Sequence, residues 1–249
     1  MRGKTLALVL VAVAAVLVTA VAVGWLTDTG SGREQHFRPA APASPQPERG
    51  QGGYLAARLL RPVQLRERPG GRRRVARLGK RTPWGLPTVL SVVRRRGQWL
   101  GVTYPRSPGD RLGWLPASGA RLYRMTTVFR VDLSRRRATF SRDGRVLRRF
   151  PVAIGQTAHP TPPGRFAVTD VLRVEQRGSP YGCCAIAITG KQNILPPGWP
   201  GGERLALHAT AELSSIGRAA SYGCLRTTEA HMKWLMGRVP LGTPVFVRR

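Results

Sequence analysis

The residues of this sequence best suited to nucleophilic chemistry are Cys224 and His208. Cys224 follows Gly223, which permits a tight turn, and precedes Leu225, which can anchor that turn in a core. Such a turn exposes backbone N–H groups around the sulfur, as an oxyanion hole requires. His208 ends an alternating Leu-Ala-Leu-His run, where its imidazole can project beyond the core. A thiol with a pKa of about 8.5 needs a neighbouring base to react well at neutral pH, and His208 is the candidate.

Short strands must position these side chains, because residues 124–249 are rich in alternating and β-branched runs. The predicted strands are 128–133, 146–152, 165–168, 184–188, 204–207 and 244–247. Asp143 and Gly144 predict a hairpin turn. A single helix is predicted, capped by Thr227 or Thr228 and followed by the last strand. Its apolar side is predicted to carry Ala230, Trp234 and Leu235.

A smaller β-rich region is predicted at residues 54–123. Its predicted strands are 63–66, 88–93, 97–102 and 111–116. The order of elements, with the closing Gly-Trp-Leu at residues 113–115, resembles bacterial SH3 domains and implies a small β-barrel. We interpret Trp99 and Trp114 as core or hairpin residues. The predicted fold class is therefore mainly β.

The N-terminal residues 1–26 indicate export. Arg2 and Lys4 precede an apolar run that is long enough to span a bilayer. The run exceeds a usual signal-peptide core of roughly 7 to 15 residues, so we expect an uncleaved anchor, although Ala20-Val21-Ala22 resembles a cleavage site. Residues 27–53 are rich in Pro, Gly and Ser and predict a disordered linker. The folded part is thus expected outside the cytoplasm, anchored to the membrane or secreted to the cell wall.

The formal net charge of +29 would favour nucleic acid as the partner of a cytosolic protein. Because the export segment argues against that, we expect no nucleic-acid partner. Two interpretations remain for the charge. It is either a compositional bias towards arginine or an attraction to anionic wall polymers or a membrane surface.

The cysteine count also points to Cys224. The chain has three cysteines, and because this number is odd, at least one thiol stays unpaired within an exported chain. That thiol is a candidate nucleophile. Cys183 and Cys184 are adjacent, with Cα atoms about 3.8 Å apart. That spacing is shorter than the usual disulfide range of about 4.4 to 6.8 Å, so a bond between them would be strained, and we expect a structural role. No zinc-site spacing is present, and neither a metal nor a cofactor is predicted.

Four separated motifs resemble the YkuD family of L,D-transpeptidase catalytic domains. They are Val-Ala-Ile-Gly followed by Thr-Pro-Pro-Gly-Arg-Phe at 152–166, His-Ala-Thr at 208–210, Ser-Tyr-Gly-Cys-Leu-Arg at 221–226, and Val-Pro-Leu-Gly-Thr-Pro-Val at 239–245. The resemblance covers roughly half of the chain. It implies that Cys224 is the nucleophile and His208 the general base.

Two residues depart from the family pattern. Ala209 stands where the family usually has Gly, and Tyr222 stands where it often has a second His. A phenol with a pKa of about 10 is a poor base at neutral pH, so His208 is left to transfer protons alone. Further oxyanion or substrate residues are expected around Cys224, namely Gly223, Ser221, Tyr222, Arg226 and Ala209. A surface-charge role for Arg226 is an equal alternative.

The resemblance implies a reaction on peptidoglycan stem peptides, with roles in cell-wall organisation and cell shape. Cys224 would attack the carbonyl that joins a diamino acid to terminal D-alanine, which leaves as the thioester forms. An amine from a neighbouring stem would then complete a 3→3 cross-link. The alternatives are a wall L,D-carboxypeptidase, or a non-catalytic wall-binding protein with a degenerate cysteine domain. A papain-like peptidase is disfavoured because His208 precedes Cys224 in the chain.

Overall fold

The computed structural model describes residues 37–43, 53–105, 107, 111–199 and 202–249. The predicted export segment 1–26 lies outside the described residues, and so does most of the predicted linker 27–53. Within the described parts of the chain, no helix combines the length and the hydropathy needed to cross a bilayer.

One described part of the linker is ordered. Strand β1 (Phe37–Pro39) pairs antiparallel with residues 172–174 of the central sheet, and Ala40 is buried. The prediction of disorder is wrong here. Phe37 supplies the reason, because its ring packs edge-on against the rings of Trp84 and Tyr181.

The first sheet contains seven antiparallel strands and has its own core of aliphatic side chains. Its strands are β2 (Tyr54–Leu59), β3 (Val63–Arg66), β4 (Arg74–Leu78), β5 (Val89–Arg96), β6 (Trp99–Val102), β7 (Gly113–Pro116) and β8 (Ala120–Met125). They are ordered β4-β3-β7-β6-β5-β2-β8, and a single 3₁₀ turn, Ala117–Gly119, joins the last two in the chain. All four predicted strands are present. The resemblance to SH3 domains stays a prediction.

The second sheet contains nine strands, including β1. The others are β9 (Val128–Asp132), β10 (Arg137–Arg142), β11 (Arg145–Pro151), β13 (Gly164–Val174), β14 (Cys184–Lys191), β15 (Arg204–Ala209), β17 (Leu225–Thr227) and β18 (Pro244–Arg248). Their order is β11-β10-β9-β18-β13-β14-β15-β17, and β1 pairs with β13. A separate parallel pair joins β12 (Ile154–Gly155) to β16 (Ala219–Ser221), and Leu213–Ser215 form a 3₁₀ turn.

The structure confirms the mainly β fold and the single predicted helix among the described residues. Helix α1 (Glu229–Met236) begins after Thr228, whose Oγ1 accepts a hydrogen bond from the His231 N–H. Ala230 is exposed and Met232 is buried instead, which corrects the predicted apolar side. Strand β10 was not predicted, because the run of basic residues 135–137, which ends at its first residue, hides the alternation that follows. Asp143, with a φ of 53°, lies in the turn that joins β10 to β11.

Besides its own core, the first sheet contributes side chains to the hydrophobic core of the second. Ala56 and Val89 of the first sheet belong to the same buried cluster as Val168 and Val245 of the second. Gly242 shows how closely they pack, since a Cβ at that position would lie 2.6 Å from Val89 Cγ1. Removal of residues 54–123 would therefore expose part of the core of the second sheet.

Candidate active site

Cys224 is a free cysteine, half-buried in the short loop between β16 and β17. Gly223 has a φ of +108°, a conformation that L side chains rarely adopt, and a Cβ there would collide with Gln192 Nε2. Ser221 clamps the loop from one side. Its hydroxyl donates to the Cys224 carbonyl at 2.6 Å and accepts from the Gly223 N–H at 3.1 Å. The predicted turn around the sulfur is thus present and is held by a side chain two positions before the glycine.

Two buried polar residues hold the other side of this loop. Thr161 Oγ1 donates to the Gly223 carbonyl at 2.8 Å and accepts from the Gly155 N–H at 2.8 Å. Gln192 Nε2 donates to the Tyr222 carbonyl at 3.2 Å and to the Pro160 carbonyl at 3.0 Å. Neither residue was predicted as part of the site. Thr161 lies within one of the four family-like motifs, but nothing in the sequence near Gln192 indicates its partner.

His208 is buried in β15, with an exposed fraction of 4%. Its ring therefore does not project beyond the core as predicted. Nδ1 lies 2.7 Å from the Ala209 carbonyl, and because a carbonyl only accepts, Nδ1 carries the proton. The lone pair is left on Nε2. Burial lowers the pKa of His208 to about 4, and the positive charge of Arg226 acts in the same direction.

The Cys224 thiol is also neutral. Burial raises the pKa of Cys224 above its ordinary value, although the Ala206 N–H and the charge of Arg226 lower it in part. Sγ lies 3.9 Å from the Arg204 carbonyl, to which the thiol can donate. At neutral pH the two groups are therefore a thiol and a neutral imidazole, so His208 can act as a base without first losing a proton.

Arg226 brings the positive charge into this region. In the parallel pairing of β15 with β17 it lies opposite His208. Its Nη1 pairs with Glu212 Oε2 at 3.3 Å, and its side chain is 18% exposed. Nε is buried without a hydrogen-bond partner among the described residues. Arg226 is thus a largely buried cation beside the reacting groups, which disfavours the surface-charge alternative.

Tyr181 is a site residue that sequence reasoning missed. Its ring centroid lies 4.7 Å from that of His208. Burial and then the neighbouring Cys224 raise the pKa of Tyr181 to about 12, so its hydroxyl stays protonated at neutral pH. The next residue, Gly182, packs against Ala209, where an added Cβ would lie 2.7 Å from the alanine Cβ.

Cys183 and Cys184, which follow Gly182, form a disulfide with each other. Adjacent side chains of a continuous strand would point to opposite faces of the sheet. Alternation holds for regular strand backbone, whereas Cys183 still lies in the turn and only Cys184 begins β14. The bond lies in the segment that places Tyr181 against His208.

The remaining predicted residues surround the loop in different ways. Ser221 and Ala209 are 1% and 0% exposed, so they position other groups and their side chains do not face a substrate. Tyr222 packs its ring against His159 at 4.9 Å and Trp199 at 4.7 Å. Tyr222 therefore belongs to an aromatic cluster at the rim of the loop.

His231 lies at the helix, outside the Cys224 loop. His231 stacks on Phe150 beside the helix cap, and His36 lies outside the described residues. No group of three or more His, Cys, Asp or Glu side chains among the described residues could hold a metal ion.

The loop between β4 and β5 contacts the strand that carries His208, because Trp84 of that loop packs on Arg204. The guanidinium of Arg204 lies 4.9 Å from the Trp84 ring, and its Nη2 pairs with the fully buried Asp170 at 3.2 Å. Nη2 also lies 2.8 Å from Thr169 Oγ1. Because the carbonyl of Arg204 lies beside Sγ of Cys224, these interactions position a group that touches the thiol.

The second half of the chain is similar to known proteins. The family described as YkuD, L,D-transpeptidase catalytic domain, matches residues 126–247. Two proteins named "Putative L,D-transpeptidase YkuD" are similar to this chain. That of Bacillus subtilis is 29% identical over 119 residues, which are 48% of this chain and 64% of that protein. That of Bacillus licheniformis is 30% identical over 125 residues, which are 49% of this chain and 67% of that protein.

The match with the Bacillus subtilis protein therefore spans less than two thirds of its length. Among solved structures, an L,D-transpeptidase from Mycobacterium tuberculosis H37Rv aligns with 65% of this chain and 90% of its own, at 18% identity and a TM-score of 0.44. A likeness at that level carries no argument of its own.

Proposed function

The chain belongs to the YkuD family of L,D-transpeptidase catalytic domains, and from that premise we propose that it cross-links peptidoglycan stem peptides through a thioester on Cys224. The observation that supports this most directly is that a free thiol beside β17 and a buried, neutral imidazole on β15 are carried by neighbouring paired strands. Cys224 lies on a glycine turn, and His208 has its Nδ1 proton fixed on a backbone carbonyl.

Acylation proceeds as Sγ of Cys224 attacks the carbonyl between the diamino acid and the terminal D-alanine. His208 Nε2 takes the thiol proton while the C–S bond forms. The same proton then goes to the nitrogen of D-alanine as the C–N bond breaks. In the second half, an amine of a neighbouring stem attacks the thioester and His208 takes its proton. The C–S bond then breaks to give a 3→3 cross-link, and His208 returns the proton to Sγ, which restores the neutral thiol.

The oxyanion requires donors that are not already engaged. The Gly223 N–H already donates to Ser221 Oγ. Of the backbone N–H groups expected around the sulfur, we therefore assign only that of Cys224 as an oxyanion donor. Tyr181 is protonated at neutral pH and packs its ring on His208, so its role is to position the imidazole. Arg226 lies close enough to influence both reacting groups, and its charge would favour a negatively charged transition state.

We also propose that the chain acts outside the cytoplasm, held at the membrane or wall by residues 1–26, with anionic wall polymers as additional partners. The apolar run and the net charge of +29 support this placement. A protease added to intact, wall-stripped cells should then remove the folded part. Full protection of the protein inside the cell would contradict it.

The test of the reaction is incubation of the purified full-length chain with a disaccharide-tetrapeptide, followed by mass spectrometry. We expect a cross-linked dimer together with free D-alanine. A Cys224→Ala protein should give neither product. A tripeptide without dimer would overturn transfer in favour of the carboxypeptidase alternative, and unchanged substrate would favour the non-catalytic one.

A further inference from the structure

A cavity of about 1550 Å³ lies between the seven-stranded sheet and the second sheet, away from the Cys224 loop. It is strongly basic. Eight of its 22 described lining residues are arginines, whereas 41 of the 249 residues of the chain are Lys or Arg. Basic residues are therefore about twice as frequent in the lining as in the chain. A compositional bias alone does not explain that concentration.

One wall is a row of side chains across three neighbouring strands. Arg165 of β13 pairs in register with Phe246 of β18, which pairs with Arg130 of β9. Paired positions share a face of the sheet, so all three side chains point to the cavity side. The Arg165 guanidinium lies 5.2 Å from the Phe246 ring and 5.9 Å from the Tyr54 ring. Arg130 Nη2 donates to Tyr54 Oη at 3.2 Å, so the rings hold both arginines in fixed directions.

The opposite wall belongs to the first sheet. Arg74 and Arg77 lie on β4 and Arg94 lies on β5, and all three are exposed. Neither these three nor Arg130 form an ion pair with a carboxylate of the described residues. Glu67 is the sole acid among the described lining residues, and it pairs with Arg73 at 3.2 Å. Cations that face each other across a cleft repel, and a bound anion relieves that repulsion.

We propose that this arginine groove, with walls formed by Arg74, Arg77 and Arg94 and by Arg130 and Arg165, binds a linear polyol-phosphate polymer. Guanidinium forks match phosphate oxygens in a bidentate manner, which favours phosphodiesters over isolated carboxylates. The volume exceeds the roughly 300 to 1000 Å³ of usual small-molecule sites, which favours a chain over a single phosphate. The groove uses neither Cys224 nor His208, so it stands or fails independently of the proposed reaction.

The test is calorimetric titration of the full-length protein, in a non-ionic detergent, with synthetic poly(glycerol phosphate). The groove variant carries Arg74→Gln, Arg77→Gln and Arg94→Gln. Its matched control carries Arg137→Gln, Arg145→Gln and Arg149→Gln, which remove the same charge from exposed positions on β10 and β11. Unchanged melting temperatures and unchanged Cys224 acylation establish that both variants are folded.

We expect the groove variant to bind at least about tenfold more weakly than the parent protein. Its slope of log K against log salt should become shallower by roughly 0.7 for each phosphate that the groove no longer neutralises. The control should bind less than about twofold more weakly. Equal weakening in the two variants would overturn the groove as the site. Equal affinity of the parent protein for polyglutamate, or tighter binding of single-stranded DNA than of poly(glycerol phosphate), would overturn the proposed ligand class.

Discussion

The candidate active site and the arginine groove differ in the charge state and the exposure of their ionisable groups. Around Cys224 and His208, burial keeps both reacting groups neutral, and the cation that acts on both, Arg226, is paired with Glu212. In the groove, arginines are exposed or stacked on rings and face each other across a cleft. A net charge of +29 therefore does not give the two regions the same electrostatic character. The proposed reaction and the proposed polymer binding use different residues, so substitutions should separate the two functions.

Cys224→Ala gives the largest expected effect. It removes the atom that becomes acylated, so no carbapenem adduct should form, while binding of poly(glycerol phosphate) should stay unchanged. Intact-protein mass spectrometry after carbapenem treatment measures adduct formation, and calorimetry measures polymer binding. An adduct on the Ala variant would show that a different residue is the nucleophile.

His208→Ala should slow acylation by about 10² to 10⁴-fold without abolishing it, because the sulfur remains and only the base is lost. The residual rate should increase with pH as the thiolate of Cys224 forms. Stopped-flow measurement of carbapenem acylation between pH 6 and 9 checks both points. Tyr222→Phe serves as the matched control, and acylation at the parent rate in the His208 variant would remove His208 from the mechanism.

Salt should distinguish the two regions without any substitution. Binding in the groove should weaken on the order of tens-fold between about 50 and 200 mM salt if roughly four phosphates are bound. Acylation by an uncharged thioester-forming reagent should change little, because the reacting pair is buried and neutral. Calorimetry and mass spectrometry on the same preparation measure the salt dependence of binding and of acylation, respectively. Parallel salt dependence would contradict the separation.

Trp84→Ala should produce the smallest change in the acylation rate, because it removes only the contact of this ring with Arg204. A cation–π interaction is worth about 0.5 to 1 kcal/mol, so we expect acylation to slow roughly two- to fivefold. The ring lies against Arg204, whose carbonyl lies beside the thiol. Trp84→Phe should restore most of the rate. An unchanged rate in Trp84→Ala would mean that the first sheet supports the fold without influencing the thiol.

The sequence predicts local features of this molecule better than contacts between distant segments. The Gly223 turn and the Thr228 cap follow from residues within a few positions of each other, and the structure contains both. The pairing of Arg204 with Asp170 joins β15 to β13, and no spacing in the chain indicates it. Tyr181 was missed for the same reason, since its contact with His208 forms only when β14 and β15 pair.

Residues 37–40 are a segment whose structure composition alone does not predict. Their Pro-rich surroundings predict disorder on composition, yet a single aromatic residue docks the segment. Phe37 packs on Tyr181 and on Trp84, and β1 occupies the part of β13 that β18 leaves uncovered. Such docking depends on an available strand edge, which composition cannot reveal.

The pH dependence of Cys224 acylation in the parent protein tests the central claim most directly. Burial lowers the pKa of His208 to about 4, so the base is neutral and competent above that value. The carbapenem acylation rate, followed by rapid-quench mass spectrometry, should therefore stay nearly constant from about pH 5 to 8 and fall only as pH drops towards 4. A fall centred near pH 6.5, the ordinary imidazole value, or a rate that rises steadily with hydroxide across that range, would contradict a neutral Cys224–His208 pair.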